Sequence, residues 1–108
     1  MKEVTVKRED GAIAFSLCCE IDHHTARILR EQIDGEMRAS DEPVVILDFS
    51  GVGFMDSSGI GLLLGRAEEA SRLGKRIVVR KMTPSVFRII RMSGIERIGC
   101  IKIEKEGI

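Results

Sequence analysis

The segment VVILDFSGVGFMDSSGIGLLLG, Val44 to Gly65, contains the two patterns that decide the fold. It begins with the unbroken apolar run from Val44 to Phe49, which is typical of a central strand covered on both faces. A helix follows the strand, because apolar residues at helical spacing continue as far as Gly74, namely Ile60, Leu63, Leu64, Ala67 and Ala70. Leu62 falls off the main apolar stripe of that helix and is expected to be partly exposed.

The segments on either side complete a regular alternation of strands and helices. Val4 and Val6 alternate with polar residues before an Asp10-Gly11 turn, which predicts a hairpin. Asp22 stands where a helix cap is expected. One apolar helical face follows, formed by Ala26, Leu29, Ile33 and Met37. Two further short strands are predicted at Arg76–Arg80 and Cys100–Ile103. Between them, Thr83-Pro84 is typical of a helix start.

The predicted order is β-β-α-β-α-β-α-β, an α/β fold in which helices pack on a mostly parallel sheet of four or five strands. We expect a single domain over residues 1–108, since a chain of this length can bury a core without disulfides or metals. The order of elements alone names no function.

The composition narrows the classes of function. Lys+Arg and Asp+Glu are both 17, so the net charge is zero and neither nucleic acid nor a membrane surface is an expected partner. The charged start MKEVTVKRED is unlike a signal peptide, and no apolar run approaches the roughly 18 residues that span a bilayer. We therefore expect a cytoplasmic protein. Three cysteines fit a reducing compartment, and we expect no metal and no cofactor.

The polar turn Asp56-Ser57-Ser58-Gly59 has two interpretations. Aspartate and serine are preferred helix caps, which would account for the polar residues. The second interpretation is a site that another molecule contacts. It is suggested by Gly59, Gly61 and Gly65, because missing side chains allow another backbone to approach closely. A serine at the start of a helix is also a favourable place to carry a phosphate, since free N–H groups and the helix dipole stabilise negative charge.

Catalytic and metal sites are less well supported. The turn lacks the G-x-S-x-G elbow of a serine hydrolase, although His23 or His24 could approach Ser57 from another loop. No G-x-x-x-x-G-K-[ST] phosphate loop occurs. The second polar cluster, Glu20 to Ala26, contains both histidines, but adjacent side chains rarely converge on one ion. This cluster and the DSSG turn are both expected at the end of the sheet where α/β folds place their sites.

Three segments together closely resemble the anti-anti-sigma factors, the STAS-domain proteins that antagonise anti-sigma factors. They are EIDHHTARILREQI, VVILDFSGVGFMDSSGIGLLLGR and TPSVFRIIRMSG. The resemblance runs from about Glu3 to Ile103 and is closest to the sporulation member. In this family the D-S-S-G turn is the phosphorylation site.

The resemblance implies a partner switch rather than an enzyme. The unphosphorylated protein would bind an anti-sigma factor that is itself an ATP-dependent serine kinase, releasing the sigma factor. Phosphorylation at Ser57 would abolish binding, and a metal-dependent PP2C-type phosphatase would restore it. The implied partner-binding residues are Glu20, Asp22, His23, Asp56, Ser58, Gly59, Gly61 and Leu62.

The chain departs from the family pattern at two places. Cys19 replaces the small residue, often glycine, that usually precedes the glutamate of the first loop. The chain also leaves little room for a final helix after the last strand, so one sheet face or edge could be uncovered. A stress-response regulator and a nucleotide- or small-ligand-binding STAS sensor remain alternative functions.

Overall fold

The computed structural model describes residues 3–104 of the chain. This part forms five strands, three α-helices and one short 3-10 helix. In chain order they are β1 (Val4–Glu9), β2 (Ala12–Leu17), α1 (His23–Ala39), β3 (Val44–Asp48), α2 (Ser57–Arg72), β4 (Arg76–Arg80), α3 (Pro84–Ser93), a 3-10 turn (Ile95–Arg97) and β5 (Ile101–Ile103). The predicted order of elements is therefore confirmed. The 3-10 turn was not predicted, and the residues expected to lack a final helix lie outside the described range.

The five strands form one sheet in the order β1-β2-β3-β4-β5. β1 pairs antiparallel with β2 through the hairpin, while β2, β3, β4 and β5 are all parallel. Helices connect the parallel strands, and such crossovers are right-handed. Because the strand order never reverses, all three helices lie on the same face of the sheet.

The main core lies between that face and the helices. Every second residue of β2 to β5 points into it, including Ile13 and Phe15 of β2 and Leu47 of β3, all three fully buried. Leu29 and Ile33 of α1 cover them, as the sequence predicted. None of the helices in residues 3–104 is long and apolar enough to cross a membrane.

The opposite face of the sheet differs from the prediction. β3 is buried on both faces, but the residues packed around Ile46 are Ala12, Ala14, Val44 and Val78, all of them strand residues. No described helix covers this second face. The apolar run of β3 predicted burial correctly, and the second helical layer that such runs usually indicate is absent from residues 3–104. Val6 on the edge strand β1 is also exposed rather than part of the core.

The helix α2 is rotated from the expected orientation. Leu62 is only 4% exposed, whereas Leu64, which was expected on the apolar face, is 44% exposed. The prediction that Leu62 is partly exposed is therefore wrong. The reason is that α2 packs against α1 as well as the sheet, so its buried arc extends to Leu62 and to Arg66, one turn further on.

Candidate phosphorylation and partner-binding site

The two polar segments predicted as a site lie side by side. Ile21 and Met55 form an isolated parallel β-bridge. The Ile21 N–H donates to the Phe54 carbonyl at 3.0 Å, and the Asp56 N–H donates to the Ile21 carbonyl at 3.1 Å. Residues immediately before α1 and α2 are thereby joined at one end of the sheet, as expected for the ends of parallel strands.

Asp22 caps α1 through a reciprocal pair of hydrogen bonds. Its carboxylate accepts from the backbone N–H groups of His24 and Thr25, both at 2.9 Å. The Thr25 hydroxyl in turn accepts from the Asp22 N–H at 3.0 Å and donates to the Glu20 carbonyl at 2.7 Å. The Thr25 N–H is the main cause that lowers the pKa of Asp22. This capping box fixes the backbone from Glu20 to Thr25, while the side chains of Glu20 and His23 are exposed.

Asp56 caps α2, and this separates the roles of the residues in the DSSG turn. The Asp56 carboxylate accepts from the Ser58 N–H at 2.8 Å. Ser57 is then the first residue of the helix and is exposed, while Ser58 is half-buried. The cap therefore accounts for the aspartate but leaves no capping role for Ser57. An exposed hydroxyl remains at the positive end of the helix dipole.

The glycines of α2 have different surroundings. Gly59 is buried, and the side chain of Met55 occupies the space that a Cβ on Gly59 would need. Its missing side chain thus accommodates Met55 of the same chain rather than an incoming backbone. At Gly61 and Gly65 a Cβ would meet nothing within 4 Å. Close approach from outside, which was expected of all three glycines, is open only at Gly61 and Gly65.

The predicted residues therefore divide into three groups. Ser57, Glu20, Asp22, His23 and Gly61 are exposed at the surface, Asp56 and Ser58 are half-buried, and Gly59 and Leu62 are buried. Sequence reasoning missed Phe54, which lies two residues before Asp56 and is 51% exposed. Its exposure has no clear signal in the sequence, because Val52 and Met55 of the same segment also lie outside the strand and helix and are buried.

An open groove of about 770 Å³ runs between α1 and α2 from this site. Besides His23, Ser58, Gly61 and Leu62, it is lined by five arginines, namely Arg27, Arg30, Arg38, Arg66 and Arg72. The guanidinium of Arg66 is almost fully buried, and its Nε lies 2.7 Å from a carboxylate oxygen of Asp34. Burial lowers the pKa of Arg66, and Asp34 opposes that shift. The spacing of the arginines on α1 shows that they share one side of that helix, but not that α2 lies beside it to form a groove.

Neither a metal nor a reactive thiol is indicated in the described residues. No group of three His, Cys, Asp or Glu side chains between residues 3 and 104 could hold a metal ion. Cys18, Cys19 and Cys100 are free thiols. Burial, and then the charge of Glu3, raises the pKa of Cys19, so its thiol stays protonated and unreactive. Cys19 packs against the main core, which gives it a role as a small apolar residue.

Curated relatives that match most of this chain are antagonists of anti-sigma factors. The STAS domain profile matches residues 3–106. The anti-sigma F factor antagonist of Paenibacillus polymyxa is 31% identical over 89% of this chain and 82% of its own. The anti-sigma-B factor antagonist of Bacillus subtilis (strain 168) is 26% identical over 96% of this chain and 94% of its own.

Solved structures agree with these relatives. The anti-sigma factor antagonist SpoIIAA in its unphosphorylated form superimposes with a TM-score of 0.76 at 26% identity, over 95% of this chain and 89% of that one. The phosphorylated form of the Bacillus cell fate determinant SpoIIAA gives 0.68 at 25% identity, over 95% and 92%. From its sequence profile, relatives and fold together, the chain belongs to the STAS domain family and, within it, to the anti-sigma factor antagonists.

Proposed function

We propose that this chain binds an anti-sigma factor and that phosphorylation of Ser57 switches the binding off. The partner is an anti-sigma factor with ATP-dependent serine kinase activity, which releases its sigma factor when it binds the unphosphorylated chain. The kinase transfers the γ-phosphoryl group of ATP to the Ser57 oxygen, and ADP and the hydroxyl proton leave. A PP2C-type phosphatase hydrolyses the phosphate ester and restores binding. The chain itself is substrate and binding partner.

The observation that carries the proposal is the position of Ser57. It is exposed as the first residue of α2, while Asp56 alone caps the helix. A kinase can therefore reach the hydroxyl without breaking the cap. The relatives that match most of the chain are antagonists of anti-sigma factors, and SpoIIAA has been solved in unphosphorylated and phosphorylated forms.

Electrostatics explains how one phosphate could act as a switch. A phosphoserine adds roughly −1.5 to −2 charges. The helix N-terminus stabilises that charge within the domain, so the fold should persist. In a close-packed interface the same phosphate would be desolvated beside the Asp56 carboxylate, which is unfavourable. Shifting a partner from 99% bound to 1% bound needs about 5.5 kcal/mol, which a buried phosphate together with a steric clash can supply.

The partner surface that we propose is the end of the sheet where the two loops meet. It combines Glu20, Asp22 and His23 before and at the start of α1 with Asp56, Ser58 and Gly61 around α2. The Ile21–Met55 bridge holds these two groups in a fixed relation, which favours one continuous surface. Gly59 and Leu62 are buried, and we assign them to the support of this surface rather than to contact. Phe54 adds an exposed aromatic ring to it.

The experiment that tests the proposal is intact-mass spectrometry after incubation with ATP and a lysate of the organism's own cells. Wild type, Ser57→Ala and Ser58→Ala are compared, because Ser58 is the adjacent hydroxyl and serves as the matched control. We expect one added phosphate on wild type and on Ser58→Ala, and none on Ser57→Ala. The kinase is then purified by its activity towards Ser57, and its affinity for the phosphorylated and unphosphorylated chain is measured.

Two results would contradict the proposal. Phosphate on Ser57→Ala but not on Ser58→Ala would mean that the acceptor is the other serine. No phosphate on wild type, in a lysate where a control substrate is phosphorylated, would leave DSSG as a helix cap.

We place the reaction in the cytoplasm, where ATP-dependent kinases act and where the three free thiols are stable.

A second candidate function is a small-ligand sensor, favoured by the arginine-lined groove between α1 and α2. A nucleotide bound there would release heat in calorimetry with the isolated chain. Binding of ATP or GTP together with no phosphorylation of Ser57 would favour the sensor over the switch. The open shape of the groove favours the switch, because small-ligand sites usually enclose most of the ligand.

A further inference from the structure

We propose that the groove between α1 and α2 extends the partner interface and binds an acidic segment of the anti-sigma factor. This inference rests on the function proposed above and adds a surface and a chemistry to it. The groove begins at His23 and Ser58, beside the phosphorylation site, and is continuous with the surface described there.

The charges at the far end of the groove balance, because two arginines, Arg38 and Arg72, share that end with two carboxylates, Glu68 and Glu69. Glu69 of α2 lies 2.7 Å from the Arg38 side chain of α1 and 2.5 Å from Arg72 of its own helix. In the middle of the groove, Asp34 pairs with Arg66. The Arg38–Glu69 and Asp34–Arg66 pairs link the two helices, and the balance of charge leaves little positive potential for a partner at that end.

The near end of the groove is different, because its two arginines form no ion pair within the part of the chain that the structure describes. Arg27 and Arg30 are exposed on α1, and neither forms an ion pair with any described residue of the chain. They are three residues apart and therefore project from the same face of the helix. Two guanidinium groups at one end of a groove, in a chain of zero net charge, form a local positive surface.

The helix across the groove leaves room beside these arginines. Both helices follow parallel strands and so run in the same direction. Arg27 lies four residues after His23, the first of α1, and Gly61 lies four residues after Ser57, the first of α2. Gly61 and Gly65 line the groove at this end, and nothing lies within 4 Å of the place of a Cβ on either. A partner segment can therefore lie along α2 with its carboxylates directed at Arg27 and Arg30.

An acidic protein segment fits these observations better than a small anion does. The groove is an open trough along two helices, and the two arginines are exposed rather than enclosed. Guanidinium groups bind carboxylates with two parallel hydrogen bonds, and exposed ones contribute mainly to association rate and specificity. A partner held at Ser57 by one part of its surface would place a second part in this groove.

The test is the affinity of the purified kinase that phosphorylates Ser57 for the double variant Arg27→Glu/Arg30→Glu. The matched control is Arg88→Glu, an exposed arginine of α3 outside the groove. At low salt we expect the double variant to bind about 10-fold or more weakly, and the difference from wild type to shrink to about 2-fold in high salt. Arg88→Glu should bind as wild type does, and all thermal midpoints should agree.

The results separate the failure of this inference from that of the proposed function. If wild type binds the kinase and the double variant binds equally well, with the same salt dependence, the groove is not part of the interface and the switch at Ser57 stands. If wild type binds no kinase, both proposals are wrong. Should the double variant unfold at a lower temperature, Arg27→Gln/Arg30→Gln provides the comparison, with an intermediate loss of affinity expected.

Discussion

Ile21 and Met55 form a parallel β-bridge that joins the loop before α1 to the turn before α2. Two backbone hydrogen bonds, at 3.0 and 3.1 Å, flank it. The side chain of Met55 is buried and fills the space beside Gly59 in the first turn of α2. The bridge and this contact couple the backbone around Ser57 to the backbone around Asp22, so the proposed surface behaves as one unit.

Ser57→Asp should weaken binding of the kinase while the thermal midpoint stays nearly unchanged. The new carboxylate lies at an exposed helix N-terminus, where a negative charge contributes about 0.3–1 kcal/mol of stability. Ser85→Asp is the matched control, since Ser85 is an exposed serine in the first turn of α3. Calorimetric titration and thermal unfolding check both effects. A large loss of stability in Ser57→Asp would show that Ser57 is mainly structural.

Gly59→Ala and Gly61→Ala should have opposite effects on stability. An alanine at 59 must displace the buried Met55 side chain, and such overpacking costs about 1–3 kcal/mol, offset by about 1 kcal/mol of helix propensity. An alanine at 61 meets open space and should raise the free energy of unfolding by about 0.5–1 kcal/mol.

Kinase binding provides a second measurement on these two glycine variants. Because Gly61 is exposed in the proposed interface, its alanine variant should bind the kinase more weakly although it is more stable. Urea denaturation and kinase titration of both variants give the two readouts. Tighter or unchanged binding by Gly61→Ala would remove this position from the interface.

The ion pair between Asp34 and Arg66 should show strong coupling in a double-mutant cycle. The two side chains are 14% and 7% exposed, so removing one partner leaves a largely buried charge. We expect Asp34→Ala to cost about 3 kcal/mol, because breaking a buried pair leaves a charge uncompensated. Adding Arg66→Met should recover about half of that loss or more. If the losses in the free energy of unfolding, measured with urea, were additive, the two side chains would not stabilise each other.

Asp48 should make the stability of the fold depend on pH in the acid range. Burial alone would raise the pKa of Asp48, but hydrogen bonds from Ser50 and the charges of Lys81 and Arg80 outweigh it and hold the pKa below its usual 3.8. The folded state therefore binds fewer protons than the unfolded state in this range. The stabilisation is present above pH 3.8 and is lost as the pH falls through the lower folded-state pKa.

Asp48→Asn tests this pH dependence, because the amide keeps an acceptor for the Ser50 N–H but does not titrate. The urea midpoint of wild type should fall more steeply with acidification than that of the variant. Asp41→Asn, at an exposed carboxylate in the loop between α1 and β3, controls for a general charge effect. Parallel curves for wild type and Asp48→Asn would contradict the prediction.

The sequence by itself determined the order of the strands and α-helices and several of their ends. Asp22 and Thr83 mark helix starts in the positions where the structure has them, and Arg76–Arg80 is a strand with the predicted bounds. These signals are local, because a cap or a turn depends on hydrogen bonds to residues two to four positions away. The turn Asp56-Ser57-Ser58-Gly59 is local in the same way and identifies a serine at a helix start, whereas the choice of Ser57 comes from the resemblance to the anti-anti-sigma factors.

Only the tertiary structure decided which surfaces these elements leave open. Leu62 is buried and Leu64 exposed because α1, more than 20 residues earlier in the chain, packs against one side of α2. The missing side chain of Gly59 leaves room for Met55 rather than for a partner, because the bridge to Ile21 fixes the backbone at Met55. Arg27 and Arg30 form a surface only because α2 places glycines across from them. Periodicity shows that a helix has an apolar stripe, but the width and direction of its buried arc depend on neighbours that are distant in sequence.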